Sequence, residues 1–168
     1  VRGGRDVERA RDVRREAAKL GDAPITVALA SGVALIGPEL LVEAVARALL
    51  MQLCLALPPD QLHLLAASTD GDAWIEELPH RRGHGSTLLF SADGGSLAPA
   101  DFVIARVAVG TPPPGRCATV LTVVSLSEAV LDVSGQRSTI AVEALSMSQA
   151  RALVGELQQR AAEEVATG

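Results

Sequence analysis

The residues able to do chemistry in this 168-residue chain are few, and the most suggestive are Gly37-Pro38-Glu39, set between an apolar run and an apolar helical pattern. A strand feeding a buried helix is where a nucleotide-binding α/β protein places its phosphate loop. Such a loop has the form Gly-x-x-x-x-Gly-Lys-Ser/Thr, because successive backbone N–H groups encircle the phosphates while the Lys and the hydroxyl serve the charge and the magnesium. Here the run is Gly37-Pro38-Glu39-Leu40-Leu41. Pro38 has no N–H to offer, Glu39 puts negative charge where phosphate would sit, and the chain's only Lys is Lys19. The acidic residue that would hold magnesium at the end of a second apolar strand is missing too. Residues 102–109 read FVIARVAV, with Arg106 in the place of a carboxylate, and Asp101 stands at the wrong end of that strand. The phosphate-loop position is therefore degenerate, and neither a cofactor nor catalytic residues are expected.

The other candidates are weaker. His80 and His84 have a helical zinc spacing, but Gly83 and Gly85 oppose a helix there and no Cys or acidic residue completes a set, so they read as loop histidines and no metal is expected. Glu76 and Glu77 beside His80 point apart if helical and read as a solvated turn. His63 sits inside an apolar strand as a core or edge histidine. Cys54, in a predicted helix, and Cys117, in a predicted strand, read as buried thiols of a reducing compartment. Trp74, the only Trp, reads as a plug pinning a turn against the sheet. Together with Leu78, Pro79 and His80 it is also the candidate contact surface.

These residues need elements to position them. Residues 5–20 form a charged helix with a thin apolar stripe, and Gly21 to Pro24 break it. Residues 25–30 and 33–36 read as two short strands joined at Ser31-Gly32. The following helix has Gly37 as N-cap and Pro38 as its first residue; Glu39, Glu43 and Arg47 form one narrow polar strip on an otherwise apolar surface. Pro58-Pro59 stop it and 61–66 resume as a strand, so 33–66 have the order of a right-handed βαβ unit. Strands are predicted at 86–90, 102–109, 117–124, 129–133 and 139–143, the last four including an antiparallel edge. Ser146-Met147-Ser148-Gln149 is a capping box that opens the final helix, with Leu145 and Ala150 as its hydrophobic staple. No repeat or low-complexity segment interrupts this order, and the fold class is α/β with a mostly parallel sheet.

Composition narrows the function classes. The chain is 48% hydrophobic and 21% charged, with mean hydropathy +0.28, which suits one packed domain and excludes disorder. Its longest apolar stretch, 40–57, is broken by Glu43, Arg47 and Gln52 and does not span a bilayer. With Trp74, Phe90, Phe102 and no Tyr, stacking platforms for single-stranded nucleic acid are lacking. The net charge of −5 opposes a general phosphate-binding surface, and although residues 1–20 carry seven basic side chains, four acidic ones dilute them, so a solvated helix is the reading. No direct nucleic-acid contact is expected of the segment, and DNA contact through that helix is the alternative weighed against it. The chain opens on Val1 and a polar stretch in place of an apolar signal sequence, and reads as part of a longer parent.

The order Ala23-Pro-Ile-Thr-Val-Ala-Leu, Ile36-Gly-Pro, Ala44-Val-Ala-Arg-Ala-Leu-Leu-Met-Gln-Leu-Cys-Leu, Pro58-Pro-Asp-Gln-Leu and Trp74-Ile-Glu-Glu-Leu-Pro-His resembles FtsK/SpoIIIE-family ATPases of the EccC type, from actinobacterial type VII secretion. The final helix, Leu145-Ser-Met-Ser-Gln-Ala-Arg-Ala-Leu-Val-Gly-Glu-Leu, is similar to that family's as well. The resemblance implies a P-loop-NTPase-like, Rossmann-like core over 23–168, preceded by a helix or linker at 1–22 that leads from the membrane. It implies a parent translocase at the cytoplasmic face of the cell membrane, whose modules move protein or, in relatives, DNA. Its partners would be other ATPase modules and secretion-machinery proteins. Because both nucleotide motifs depart from the family pattern, the segment is expected to be a non-catalytic module for assembly or protein contact. The alternative is an active motor domain with an atypical site or one shared with a neighbouring subunit.

Overall fold

The computed structural model describes residues 32–66, 70–91, 99–115 and 117–167. The expected helix at 5–20 and strand at 25–30 lie outside them. In chain order the elements are β1 (Val33–Ile36), α1 (Glu39–Ala56), β2 (Leu62–Ala66), two 3₁₀ turns (Asp70–Glu77 and Pro79–Arg82), β3 (Ser86–Ser91), β4 (Phe102–Val107), β5 (Thr119–Val123), β6 (Glu128–Val133), β7 (Gln136–Ala141) and α2 (Met147–Thr167). The expected α/β class is what the chain adopts. None of the described helices is long and apolar enough to cross a membrane.

The seven strands form one sheet in the order β2-β3-β4-β1-β5-β6-β7. The first five are parallel, and β6 and β7 extend the sheet antiparallel. β1 and β2 are thus parallel but separated by β3 and β4, so the expected βαβ unit reaches across the sheet instead of joining neighbours. β1 reads Val-Ala-Leu-Ile without alternation because both its faces are covered. Val33 and Leu35 face the helices with Leu64, Phe90, Ile104 and Val123; Ala34 lies on the other face with Val103, Ala105, Val107 and Cys117.

The helical layer is α1, α2 and the two 3₁₀ turns. Leu50, Met51 and Cys54 of α1 are fully buried, and Ala150, Val154 and Leu157 of α2 meet the same core. The polar strip of α1 has a structural use: Arg47 Nε donates to the Leu145 carbonyl at 2.8 Å, and the Leu145 N–H donates to the Ala44 carbonyl at 3.0 Å, clamping the chain as it enters α2. The capping box forms as read. Gln149 N–H donates to Ser146 Oγ at 3.1 Å and Ser146 N–H to Gln149 Oε1 at 2.9 Å.

Both sheet edges are shaped by local chemistry. At β2 the chain crosses close by: Arg81 Nη1 donates to the Leu64 carbonyl at 2.8 Å, and a Cβ at Gly83 would run into the carbonyl oxygens of Leu62 and Pro59. Only glycine fits that crossing, and the crossing covers an edge that would otherwise present unpaired carbonyls. At the far side, β6 and β7 join through Ser134 (φ 54°) and Gly135 (φ 81°), a type I′ turn. β7 therefore starts at Gln136, three residues before the expected strand at 139–143, because the two-residue turn ends at Gly135 and Gln136 pairs with Val133.

Candidate functional site

In an open parallel sheet, ligands bind beyond the carboxyl ends of the strands, where adjacent strands send their connections in opposite directions. Here that point lies between β1 and β4: β1 runs through α1 towards the β2 edge, and β4 runs the other way to β5. A pocket of about 400 Å³ opens there, lined by Gly37, Pro38, Glu39, Val42, Glu43, Arg106, Val107, Ala108 and Val109. The degenerate phosphate-loop position and Arg106 are therefore brought together.

The turn from β1 into α1 is tight. Gly37 has φ +153°, and a Cβ on it would stand 2.8 Å from the Val123 carbonyl oxygen of β5, so the turn is pressed against the neighbouring strand. The helix begins one residue later than expected. Pro38, with φ −56° and ψ 135°, is the cap residue, Glu39 is the first helical one, and the Pro38 carbonyl accepts the Val42 N–H at 2.9 Å. Gly37 is not the N-cap because its unusual φ serves the close approach to β5. No side chain caps α1, which leaves Glu39, in the first turn, to offset the helix dipole.

Below the turn, Arg106 of β4 is only 4% exposed, and its guanidinium is engaged on all sides. Nη1 lies 2.9 Å and 3.2 Å from the two carboxylate oxygens of Glu43, Nε donates to the Ser91 carbonyl at 3.2 Å, and the group sits 4.2 Å above the centre of the Phe90 ring. A charge in an apolar strand requires such a partner, and the polar strip of α1 supplies it from 63 residues away. Sequence reasoning noted both residues without pairing them. The signal was there: one lone charge in an apolar strand, one lone polar strip on an apolar helix.

A nucleotide with magnesium does not fit these residues. Arg106, the one cation among the described residues lining the pocket, is committed to Glu43, the first carboxylate of the helix would face a phosphate, and Pro38 subtracts a donor where a phosphate loop needs one.

The remaining candidates lie elsewhere. Trp74, Leu78 and His80 are buried in the core and Pro79 is half-buried, so the contact surface expected there is corrected: the first three side chains pack under the sheet and only Pro79 keeps part of its surface outward. His80 Nε2–H donates to the Leu57 carbonyl at 2.8 Å while Nδ1 has no partner among the described residues. Burial pushes the His80 pKa below its ordinary value, against the pull of the Leu57 and Cys54 carbonyls, so the ring is held neutral. His84 is exposed, and among the described residues no three His, Cys, Asp or Glu side chains gather as a metal set. Glu76 holds Arg81, with both carboxylate oxygens at 3.2 Å from guanidinium nitrogens, and Glu77 lends only its carbonyl, to Gln158. Asp101 accepts from Thr87 at the amino ends of the strands, far from the pocket. His63 is half-buried on the edge strand β2. Cys54 is fully buried, which pushes its thiol pKa far up; Cys117 is buried just before β5 and not within it.

No family model and no curated protein matches this chain.

Proposed function

We propose that this chain is a non-catalytic, ATPase-like α/β module of a membrane-associated translocase resembling the FtsK/SpoIIIE proteins of the EccC type. It acts there in assembly and protein contact, on the cytoplasmic side of the membrane, against other modules or secretion-machinery proteins. The sequence resemblance supplies the family and the parent machine. The observation carrying the non-catalytic reading is the Glu43–Arg106 pair at the sheet's switch point. It neutralises internally the one cation among the described residues that lines the pocket, and Pro38 and Glu39 guard the helix end above it.

Calorimetric titration with ATP and magnesium tests the reading. No heat is expected. Saturable binding with a Kd at or below about 100 μM, equivalent to roughly −5.5 kcal/mol, would overturn it in favour of a motor domain with an atypical site.

A further inference from the structure

Four of the six large hydrophobic side chains exposed among the described residues lie at one end of the sheet: Leu40 (83% exposed), Val109 (69%), Val124 and Leu126 (55% each). Their positions follow from the backbone. Val109 lines the switch-point pocket opposite Glu39; Leu40 follows Glu39 in the first turn of α1; and Val124 adjoins Val123, whose carbonyl touches Gly37. Leu126 sits in the turn closed by the Val124 N–H donating to the Glu128 carbonyl at 3.0 Å. Exposed Pro112 and Pro113 continue the same loop as Val109. An apolar rim of this kind around a pocket marks a protein-contact surface better than a solvated one.

The charge within the rim selects the partner. Glu39 is exposed and Glu43 keeps 31% of its side-chain surface, whereas Arg106, the only cation among the described residues lining the pocket, is buried and engaged. The two carboxylates outweigh Arg106 and the roughly half positive charge of the helix end, leaving the mouth acidic by about half a charge. Glu128, exposed beside the Val124 turn, adds to the same sign. We infer that this end of the sheet docks a partner protein through a basic side chain flanked by apolar ones, the cation reaching Glu39 and Glu43 and its neighbours covering Leu40, Val109 and Val124. The inference rests on the pocket being closed to nucleotides and names what it takes instead.

Amide chemical shifts of the whole chain, titrated with acetyl-Leu-Arg-Leu-amide, test it. Saturable shifts are expected at Leu40, Val42 and Val109, weakened about threefold by Glu39→Gln, the worth of an exposed ion pair, and further by Leu40→Ser. Silence up to roughly 10 mM peptide overturns the inference, as does an equal response to acetyl-Leu-Glu-Leu-amide or to putrescine, which has charge without the apolar flanks. ATP with magnesium, added in a separate arm, distinguishes the two readings. Shifts at the same amides would defeat the non-catalytic reading itself, while silence to both ligands defeats only the docking.

Discussion

Replacing Glu43 by Leu should destabilise the domain by about 2–3 kcal/mol. Breaking a fully buried ion pair costs about 3–5 kcal/mol because the remaining charge is stranded without its counter-ion. Arg106 fits that case at 4% exposure, still held by the Ser91 carbonyl and the Phe90 ring, but Glu43 keeps 31% of its surface and water already screens part of the interaction. The lower figure follows. With a urea m-value of about 2 kcal/mol/M, the unfolding midpoint should fall by about 1–1.5 M. The double variant Glu43→Leu/Arg106→Met removes both charges and keeps the volume, and it should return to within about 1 kcal/mol of the parent, since apolar replacement of a buried pair is close to neutral. Urea unfolding followed by circular dichroism on the parent, both single variants and the double variant completes the cycle. A midpoint shift below about 0.3 M for Glu43→Leu would refute the reasoning, and so would a double variant as unstable as the sum of the singles.

His80 gives the fold a pH dependence of definite sign. The native ring is held neutral with its pKa below the ordinary 6.5, so as pH falls below 6.5 the unfolded chain takes up the proton first. Stability is therefore full above pH 6.5 and declines below it, at up to about 1.4 kcal/mol per pH unit, until the native ring also protonates. Unfolding between pH 7 and 5.5 should show this slope and its reduction in His80→Gln, whose amide can still donate to the Leu57 carbonyl; equal slopes in the two proteins would remove His80 from the account. At the β2 edge, Gly83→Ala should cost about 2 kcal/mol or more, since its Cβ meets backbone oxygen that has no rotamer to yield. Thermal unfolding checks it, and a cost under about 0.5 kcal/mol would mean the crossing is loose.

How much of this was legible beforehand depended on distance along the chain. The capping box was read to the residue, since Ser146 and Gln149 three apart make their reciprocal bonds, and the apolar surface of α1 predicted its burial, though its start lies one residue later than its Gly-Pro signal suggested. Ser-Gly before Gln136 marked a turn, yet the strand start was misplaced, since only the positive φ of both turn residues shows where pairing begins. Strand order was not legible. Nothing local in 33–66 says that β3 and β4 insert between β1 and β2, because parallel pairing is decided by contacts far apart in sequence. Trp74 to His80 carried two readings for the same reason: Trp74 read as a plug against the sheet, which its burial bears out, but the same residues beside two glutamates also read as a contact surface until the 3₁₀ turns wind them under the sheet, with Glu76 and Glu77 exposed between buried Ile75 and Leu78.

The switch point is where local and global chemistry disagree most. A helix N-terminus beyond the end of a central parallel strand offers about half a positive charge and several unpaired N–H groups, an arrangement suited to an anion. This sequence answers that potential from within. Glu39 sits in the first turn, Pro38 deletes a donor, and Glu43 pins Arg106 at 2.9 Å. The electrostatic demand of the fold is thereby met by covalently attached carboxylates, whose local concentration no free phosphate can match. Reopening the site would require more than adding a lysine. Removing Glu43 strands Arg106 in an apolar layer, and removing Arg106 leaves Glu43 as a second negative charge beneath any incoming phosphate, so each single step towards anion binding carries a stability or repulsion cost. The pair is thus at once a fastening between α1 and β4 and the reason that Arg106 does not offset the charge of Glu39 at the pocket mouth.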